Sequence, residues 1–255
     1  MIESLDNQKI KLINKLKQKK YRWVERQYYV EGEHLVQMAL NYHKANYLLL
    51  SDAYIVEQNK LYKGTQFIAE INCPYDYISL AVLKKIKDTK TSQGIFAICD
   101  WEETQYDGAS IVIFDGLQDP GNVGTIIRTA KAFGVHNFYF TGDTVDPYNE
   151  KVMRASQGAV LISNLFYEKT AKNILSEISA LLQIYVLDLS GKSINSLQHK
   201  KQQPFAIIVG NEGNGINYQR WESFTLSQVT IPMNSEIESL NVAIATGIVL
   251  YKLFS

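Results

Sequence analysis

Residues 231–243, Ile-Pro-Met-Asn-Ser-Glu-Ile-Glu-Ser-Leu-Asn-Val-Ala, decide how the C-terminal part of this chain is interpreted. The stretch places small polar side chains, Ser239 and Asn241, directly before a long apolar run. Ser and Asn at the start of a helix either cap its backbone N–H groups or line a pocket at its positive end. Residues 115–128 and 207–215 have the same character, with polar residues and glycines following an apolar strand. Three such junctions at one edge of a sheet would form a binding site.

The composition is that of a globular chain with an ordinary core. The 255 residues are 46% hydrophobic and 20% charged, which suits one large domain or two smaller ones. No apolar run reaches the roughly 18 to 20 residues of a membrane span, and the sequence after Met1 lacks a signal-peptide pattern, so we expect a cytoplasmic protein. Cys73 and Cys99 lack zinc-ligand spacing, and we expect no metal site. The net charge of zero excludes a globally basic protein but not a local basic surface.

A local basic segment lies near the N-terminus, between residues 9 and 26, where Glu25 is the only acid. Its basic residues are Lys9, Lys11, Lys15, Lys17, Lys19, Lys20, Arg22 and Arg26, and the aromatic residues that follow or interrupt them are Tyr21, Trp23, Tyr28 and Tyr29. Ile10, Ile13 and Leu16 recur at helical spacing beneath the lysines. The segment is therefore either a solvated amphipathic helix or an arm that contacts phosphates. The aromatic side chains either stack on unpaired bases or pack in the core.

The order of predicted elements divides the chain in two. Residues 1 to about 100 are predicted to mix strands at 28–32, 47–50, 67–71 and 95–99 with helices that include 33–42. Residues 101–110 are a candidate linker. Farther on, the predicted strands are 111–114, 137–140, 165–167, 184–187, 205–209 and 229–231, and the predicted helices are 125–133, 151–160, 171–182 and 242–254. This alternation indicates an α/β fold with a mainly parallel sheet, whose ligands bind beyond the carboxyl ends of the strands.

The first candidate site is the turn Asp115-Gly-Leu-Gln-Asp-Pro-Gly-Asn-Val-Gly-Thr-Ile-Ile-Arg128. It joins a strand to a helix through a loop rich in glycine, and Asn122 lies near the helix start. Arg128 interrupts a mostly apolar helix. It is therefore either one surface charge or a fixed guanidinium fork for phosphate or ribose oxygens.

The second candidate site is Ile207-Ile-Val-Gly-Asn-Glu-Gly-Asn-Gly-Ile216. Its glycines follow the order G-x-x-G-x-G, which reverses the dinucleotide-binding pattern, and no P-loop Lys-Ser/Thr pair follows. Glu212 would also repel a pyrophosphate. The loop therefore suits a neutral or cationic ligand, or it is a glycine-rich turn, and a dinucleotide enzyme is disfavoured.

Taken together, the three stretches resemble the three motifs of the SpoU (TrmH-type) RNA methyltransferases of the SPOUT superfamily. The matching residues are Asp-Pro-Gly-Asn-Val-Gly-Thr-Ile-Ile-Arg-Thr-Ala from 119, Gly-Asn-Glu-Gly-x-Gly from 210, and Ile-Pro-Met, five residues, then Ser-Leu-Asn-Val from 231. Residues 28–36 and 92–97 more loosely resemble a ribosomal-protein-like substrate-binding domain. The resemblance implies an RNA substrate-binding domain at 1–105 and a methyltransferase catalytic domain at 106–255, whose C-terminal segment forms a trefoil knot.

The resemblance also implies a reaction and its residues. Family members transfer a methyl group from S-adenosylmethionine (AdoMet) to a ribose 2′-hydroxyl of RNA, as homodimers paired through the catalytic domains, and the two-domain layout favours ribosomal RNA over transfer RNA. The implied catalytic residues are Arg128, Asn122, Glu212 and Asn241. The implied cofactor-binding residues are Gly210, Asn211, Gly213, Ile231, Met233, Ser239 and Leu240. The expected RNA-binding residues are Lys15, Lys19, Lys20, Arg22, Lys151 and Arg154.

The roles of these residues follow from their chemistry. Arg128 is usually proposed as the base in the family, but an arginine pKa above about 12 favours orienting the ribose and stabilising its oxyanion. Glu212 and Asn241 are expected to hold Arg128 and the cofactor loop in place. Ser235 stands where the family usually has glycine, so the loop there is expected to differ. Two alternatives remain: methylation of a base nitrogen, disfavoured by the Asn122–Arg128 pair, and a catalytically silent RNA-binding or ribosome-assembly protein on the same fold.

Overall fold

The computed structural model describes residues 1–60, 72–178, 182–200 and 203–255 of the chain. Its contacts divide it into two compact units, Met1–Glu103 and Thr104–Ser255. The division falls inside the expected linker at 101–110. Among the described helices, none combines the length and apolar character that a membrane crossing requires.

The N-terminal unit packs helices against a four-stranded sheet of order β1-β4-β2-β3. Its elements are α1 (Gln8–Leu16), α2 (Lys19–Glu25), β1 (Gln27–Glu31), α3 (Glu33–Asn41), β2 (Ala45–Ser51), α4 (Asp52–Lys60), β3 (Tyr75–Ile78), α5 (Leu80–Ile86) and β4 (Ile95–Asp100). β4 is antiparallel to β1 and β2, and β3 is parallel to β2. The sequence pattern did not indicate α4, β3 or α5, and the strand predicted at 67–71 lies outside the described residues.

The apolar spacing of α1 explains how it packs. Ile10, Ile13 and Leu16 are fully buried and share a core cluster with Leu49 and Phe96 of the sheet. Burying each such side chain contributes about 1.5–3 kcal/mol. The lysines between them therefore face solvent, as in an amphipathic helix.

Arg22 corrects one prediction of RNA contact. Its side chain is buried, with only 3% of the residue exposed. Its Nη1 donates to the carbonyl oxygens of Leu16 at 2.8 Å and Lys17 at 3.1 Å. These carbonyls end α1 and need donors, so Arg22 closes the turn between two helices and is not available to RNA. Tyr28 and Tyr29 are also buried, so they belong to the core and do not stack on bases.

The C-terminal unit is a six-stranded sheet in which every paired strand is parallel, in the order β10-β8-β9-β5-β6-β7. This confirms the α/β fold with a mainly parallel sheet. The strands are β5 (Ile111–Asp115), β6 (Asn137–Thr141), β7 (Asn164–Lys169), β8 (Gln183–Ser193), β9 (Phe205–Gly210) and β10 (Leu226–Thr230). The helices are α6 (Pro120–Ala132), α7 (Glu150–Ala155), α8 (Ala171–Glu177) and α9 (Val242–Phe254), with 3₁₀ turns at Ala159–Ile162, Ile194–Ser196 and Tyr218–Trp221.

Local chemistry sets helix boundaries that the apolar pattern misplaced. α6 begins at Pro120 rather than at 125, because the carboxylate of Asp119 accepts the backbone N–H of Asn122 at 2.7 Å and caps the helix. α7 ends at Ala155 rather than at 160, because Gln157 and the glycine after it have positive φ, 50° and 81°. The first shift places Asn122 in the first turn of α6.

Candidate active site

A cavity of about 340 Å³ opens at the carboxyl ends of β9 and β10, beside residues 187–189 of β8 and the start of α9. This volume is in the range of small-molecule sites. All three sequence stretches contribute to its wall. The lining residues are Asn122, Leu187, Asp188, Leu189, Val209, Gly210, Asn211, Glu212, Gly215, Ile216, Val229, Thr230, Ile231, Met233, Ser239, Leu240, Asn241, Val242 and Ala245. The three junctions therefore meet at one edge of the sheet.

The residues predicted to bind the cofactor gather at this cavity, with one exception. Gly210, Asn211, Ile231, Met233, Ser239 and Leu240 line it. Gly213 does not, and its backbone N–H instead donates to Oδ1 of Asn211 at 2.9 Å. Gly210 has no room for a side chain, because a Cβ there would lie 2.5 Å from the backbone of Gly215. Two backbone hydrogen bonds of 2.9 Å between Asn211 and Gly215 close this loop.

Asn241 caps a helix and lines the cavity at the same time. Its Oδ1 accepts the backbone N–H groups of Ala243 at 2.9 Å and Ile244 at 3.3 Å, which is the N-cap of α9. Its Nδ2 donates to Oδ1 of Asn122 at 3.0 Å. A single amide thus ties the start of α9 to the start of α6.

Glu212 completes a chain of three polar side chains. Its Oε1 accepts Nδ2 of Asn122 at 3.2 Å and the backbone N–H of Asp119 at 3.3 Å. We call Glu212, Asn122 and Asn241 the amide cluster, and all three line the cavity. The expectation that Glu212 and Asn241 hold Arg128 is wrong, because the side chain that they hold is Asn122.

Arg128 lies on the exposed surface of α6, outside the cavity lining. In the described part of the chain it forms no ion pair or hydrogen bond with Glu212 or Asn241. It lies six residues beyond Asn122 on the same helix. Its guanidinium is not bound to the carboxylate of Glu212, so it is available to contact a large ligand at the surface.

A second polar cluster lies at the same sheet edge. Asp115, at the end of β5, is 3% exposed and accepts the backbone N–H of Asn217 at 3.1 Å and Nε1–H of Trp221 at 2.9 Å. Arg220 donates to Asp115 and makes a two-bonded contact to Asp143, with N···O distances of 3.1 and 3.0 Å. The hydrogen bond from Arg220 lowers the pKa of Asp143. We call Asp115, Arg220 and Asp143 the ion cluster.

Sequence reasoning missed the contribution of β8 to the cavity. Leu187, Asp188 and Leu189 line it, because they directly follow Val186, the last residue of β8 that pairs in parallel with β9. The strand predicted at 184–187 carried the available signal, since the residues after a parallel strand belong to the ligand-binding edge.

The lining suits a cation with an apolar part. Aliphatic side chains from β8, β9 and β10 cover much of the wall. Asp188 and Glu212 supply carboxylates, and the described lining residues include no Lys or Arg. AdoMet carries a sulfonium and an ammonium against one carboxylate, together with a purine. The residues present therefore fit this cofactor, with Gly210, Ile231 and Leu240 as candidates to hold it.

The lysines predicted to bind RNA on α1 and α2 lie on the surface. Lys15, Lys19 and Lys20 are exposed. The Nζ atoms of Lys15 and Lys20 lie 5.9 and 5.8 Å from the ring centroid of Tyr21, and Nζ of Lys19 lies 5.9 Å from that of Trp23. These distances are those of weak cation–π contacts, so the surface combines positive charge with half-buried aromatic rings.

The basic residues of α7 lie next to the helix that carries Arg128. Lys151 is exposed and Arg154 is half-buried. α7 packs closely on α6, since a Cβ at Gly124 would lie 2.5 Å from Cβ of Ala155. Both basic residues therefore belong to the part of the unit that surrounds the start of α6.

Ser235 does not adopt the conformation for which glycine is favoured. In the described ranges, the non-glycine residues with positive φ are Arg26, His43 and Gln157. The loop instead turns at Asn234, whose side chain accepts the backbone N–H of Glu236 at 3.1 Å. The serine therefore introduces no backbone strain here.

Known proteins resemble this chain in both units. Residues 109–251 match the SpoU rRNA Methylase family, and residues 7–97 match the MRM3-like substrate binding domain. The 23S rRNA (guanosine(2553)-2'-O)-methyltransferase RlmP of Bacillus subtilis is 32% identical over 99% of this chain and 98% of its own length.

Solved structures agree with these matches. The AdoMet-bound rRNA methyltransferase from Sinorhizobium meliloti has a TM-score of 0.81 and 28% identity, covering 99% of this chain and 96% of that one. The SpoU methyltransferase AviRb from Streptomyces viridochromogenes, at 19% identity, shares the fold with a TM-score of 0.85 over 97% of each chain. The three sequence stretches that meet at the cavity all lie inside the family match at 109–251. The chain therefore belongs to the SpoU rRNA Methylase family.

Proposed function

We propose that this protein is an AdoMet-dependent RNA methyltransferase that methylates a ribose 2′-hydroxyl of ribosomal RNA, and that it works in the cytoplasm. The observation that carries the proposal is the position of the amide cluster. It lines a cavity that fits a cation, and its member Asn122 lies at the start of α6, the helix that also carries Arg128. RlmP, named for 2′-O-methylation of a guanosine in 23S rRNA, and the AdoMet-bound S. meliloti protein support it.

The reaction needs alignment more than covalent help from the protein. An O2′–CH₃ bond would form as the CH₃–S bond breaks, and the hydroxyl proton would pass to solvent water. The bound cofactor supplies a methyl group activated by a sulfonium. The amide cluster fixes the starts of α6 and α9 beside it, and such positioning accounts for much of the rate in bimolecular transfers.

Arg128 is proposed to act on the RNA side of the reaction. A guanidinium is a poor proton acceptor, so Arg128 orients the ribose or a neighbouring phosphate and stabilises the developing oxyanion. Arg128→Lys keeps the charge and removes the fork. We expect methyl transfer to fall at least about tenfold with AdoMet affinity unchanged; wild-type activity at all pH values would remove Arg128 from this role.

The RNA is proposed to contact both units. Lys15, Lys19 and Lys20 of the N-terminal unit, and Lys151 and Arg154 of α7, provide positive charge for backbone phosphates. Charge-to-glutamine variants of the three N-terminal lysines should weaken RNA binding and flatten its dependence on salt. Unchanged affinity in filter binding would exclude this surface.

The exposed face of α9 supports the proposal of a homodimer. Ile244, Ile248 and Tyr251 recur at helical spacing and are 56%, 38% and 65% exposed. An exposed apolar stripe of this kind suits a protein interface. We therefore propose that a second copy packs on this face, close to the cavity that the first turn of α9 lines. Sedimentation should give a dimer for the wild type and a monomer for Ile248→Lys.

The decisive experiment maps 2′-O-methyl groups in ribosomal and transfer RNA from cells with and without the gene. We expect one ribosomal site to disappear and to return with the wild-type protein but not with Asn122→Ala. If no site changes, the enzymatic proposal fails. A calorimetric titration with AdoMet then separates the alternatives, since a catalytically silent RNA-binding protein would bind RNA without binding the cofactor.

A further inference from the structure

Asp188 is a carboxylate that no sequence motif indicated, and it lies in the wall of the cofactor cavity, within β8 and two residues beyond Val186, the last residue of β8 that pairs with β9. Its Oδ1 accepts the hydroxyl of Ser190 at 2.7 Å and the backbone N–H of Ser190 at 2.9 Å. Its Oδ2 accepts the hydroxyl of Tyr218, which follows the loop after β9. The carboxylate is therefore held from two sides.

These donors fix the position of the carboxylate without cancelling its charge, because all of them are neutral. The hydrogen bond from the Ser190 hydroxyl, followed by that from Tyr218, lowers the pKa of Asp188. Burial and the neighbouring Asp188 raise the pKa of Tyr218 to about 12. At neutral pH the pair therefore consists of an ionised carboxylate and an intact phenol. Among the described lining residues, Glu212 supplies the other carboxylate, and none supplies a basic side chain.

The cofactor and its product differ in charge at a single atom. AdoMet carries a sulfonium and is a net cation, whereas S-adenosylhomocysteine (AdoHcy) has a neutral thioether and no net charge. A cavity of about 340 Å³ keeps a bound sulfonium near its walls, where attraction to a carboxylate is stronger than in bulk water. A negative wall therefore distinguishes substrate from product without contacting the methyl group.

We infer that Asp188 is a selectivity residue that makes the cavity prefer AdoMet to AdoHcy, with Tyr218 and Ser190 as the residues that position it. The inference rests on the proposed function, since it needs AdoMet to bind in this cavity. When the methyl group moves to the ribose oxygen, the sulfonium becomes a thioether and its attraction to Asp188 ends. The same carboxylate therefore helps the cofactor to bind and the product to leave.

The test compares two ligands on one variant by calorimetry. Asp188→Asn keeps the size of the side chain and removes its charge. We expect AdoMet affinity to fall about tenfold and AdoHcy affinity to change less than about twofold, as expected when a single charge pair is lost. Sinefungin, which has an ammonium in place of the methylated sulfonium, should behave like AdoMet. Asp6→Asn, which removes an exposed carboxylate of the N-terminal unit, is the matched control and should change neither affinity.

Further results decide the inference. Equal losses for AdoMet and AdoHcy would mean that Asp188 binds a group common to both, and no loss would mean that it binds neither; each result overturns the inference. Retained AdoHcy binding shows that Asp188→Asn is folded. Tyr218→Phe should produce a smaller loss in the same direction. Wild-type protein that binds AdoHcy and RNA but shows no preference for AdoMet would refute the inference alone, whereas protein that binds neither cofactor form would refute the proposed function.

Discussion

The amide cluster and the ion cluster lie at the same edge of one sheet, yet they differ in burial. In the ion cluster the side chain of Asp115 is 1% exposed, and its partner Arg220 is 29% exposed. In the amide cluster Glu212 and Asn241 are exposed, and Asn122 is half-buried. Both clusters join residues about 90 or more positions apart in the chain, as the Asn122–Glu212 and Asp115–Arg220 separations of 90 and 105 show.

This difference distinguishes polar residues that can bind a ligand, which form a site, from polar residues that only stabilise the fold, which form a support. Asp115 accepts from a backbone N–H, an indole N–H and a guanidinium, which leaves little capacity for a ligand. The amide cluster keeps accessible N–H groups and lone pairs in the wall of a cavity. Polar residues at strand ends therefore mark a ligand site only where their hydrogen-bonding capacity is not already used.

Removing the arginine of the ion cluster should have the largest effect on stability. Arg220→Ala leaves the buried carboxylate of Asp115 without its cation, and breaking a buried pair in this way costs about 3 kcal/mol. Urea unfolding of the wild type and of Arg220→Ala measures this difference in unfolding free energy. AdoMet affinity of the folded variant should stay within about twofold, because the described lining of the cavity does not include Arg220. A large loss of affinity with unchanged stability would reverse the roles of the two clusters.

Removing the side chain of Asn122, at the centre of the amide cluster, should instead reduce activity much more than stability. Asn122→Ala breaks the hydrogen bonds to Glu212 and Asn241, so the starts of α6 and α9 lose their alignment. We expect single-turnover methyl transfer to fall about 10²-fold, comparable to the loss of one positioned polar group in an active site. The free energy of unfolding should fall by less than about 1 kcal/mol, since the bonds are exposed. A stability loss as large as that of Arg220→Ala would contradict the distinction.

Much of the fold and of the cavity could be predicted from the sequence, because local signals carried them. α9 runs from Val242 to Phe254, as its apolar run indicates, and Asn241 caps it. Gly210 and Asn211 line the cavity because a parallel strand ends at Gly210. In each case one short stretch of sequence contains both the helix or strand and the polar residues at its end. The sequence pattern therefore predicts both the element and the place where the polar residues lie. The trefoil knot implied by the resemblance stays a prediction.

The errors arose where a residue's role depends on partners that the local sequence pattern does not identify. Arginine is a residue type that often binds phosphate, but Arg22 instead donates to two carbonyl oxygens in the turn between α1 and α2. Arg220 gave no signal, because its carboxylate partners lie 105 and 77 positions away. Asp188 belongs to the cavity only because β8 pairs with β9. Strand order is a property of the whole sheet, and no local pattern contains it.

The loop that joins β9 to the amide cluster permits a matched test of two glycines. A Cβ at Gly210 would lie 2.5 Å from the backbone of Gly215, whereas a Cβ at Gly213 would lie 3.6 Å from its nearest neighbour, Oδ1 of Asn211. We expect Gly210→Ala to weaken AdoMet binding about tenfold, because overpacking of this size costs about 1–3 kcal/mol. Gly213→Ala should bind within about twofold of wild type. Equal effects in calorimetry would mean that the loop adjusts freely and does not shape the cavity.

Asn241 both caps α9 and donates to Asn122, and two variants with smaller expected effects separate these roles. Asn241→Ala removes both the cap of α9 and the bond to Asn122, and loss of the cap costs about 1 kcal/mol. Asn241→Ser keeps a capping oxygen, so its unfolding free energy should stay within about 0.5 kcal/mol of wild type. Methyl transfer should fall similarly in both variants, because neither keeps Nδ2 as a donor to Asn122. Activity that follows stability would show that the cap alone matters.

The smallest effect concerns the pH dependence of the ion cluster. The hydrogen bond from Arg220 lowers the pKa of Asp143 below the ordinary value of an aspartate, and a group whose pKa is lower in the folded state stabilises the fold above its unfolded pKa. We expect wild type to exceed Asp143→Asn in unfolding free energy by a constant amount, less than about 1 kcal/mol for this half-exposed pair, from pH 8 to 5. The difference should vanish as the pH falls through the lowered pKa. Asn241→Ser, whose partners are amides, should keep a constant difference from wild type over the same range. If that difference also vanished in acid, the acid-dependent loss of stability would not be specific to the ion cluster, and the separation of the two clusters into support and site would not hold.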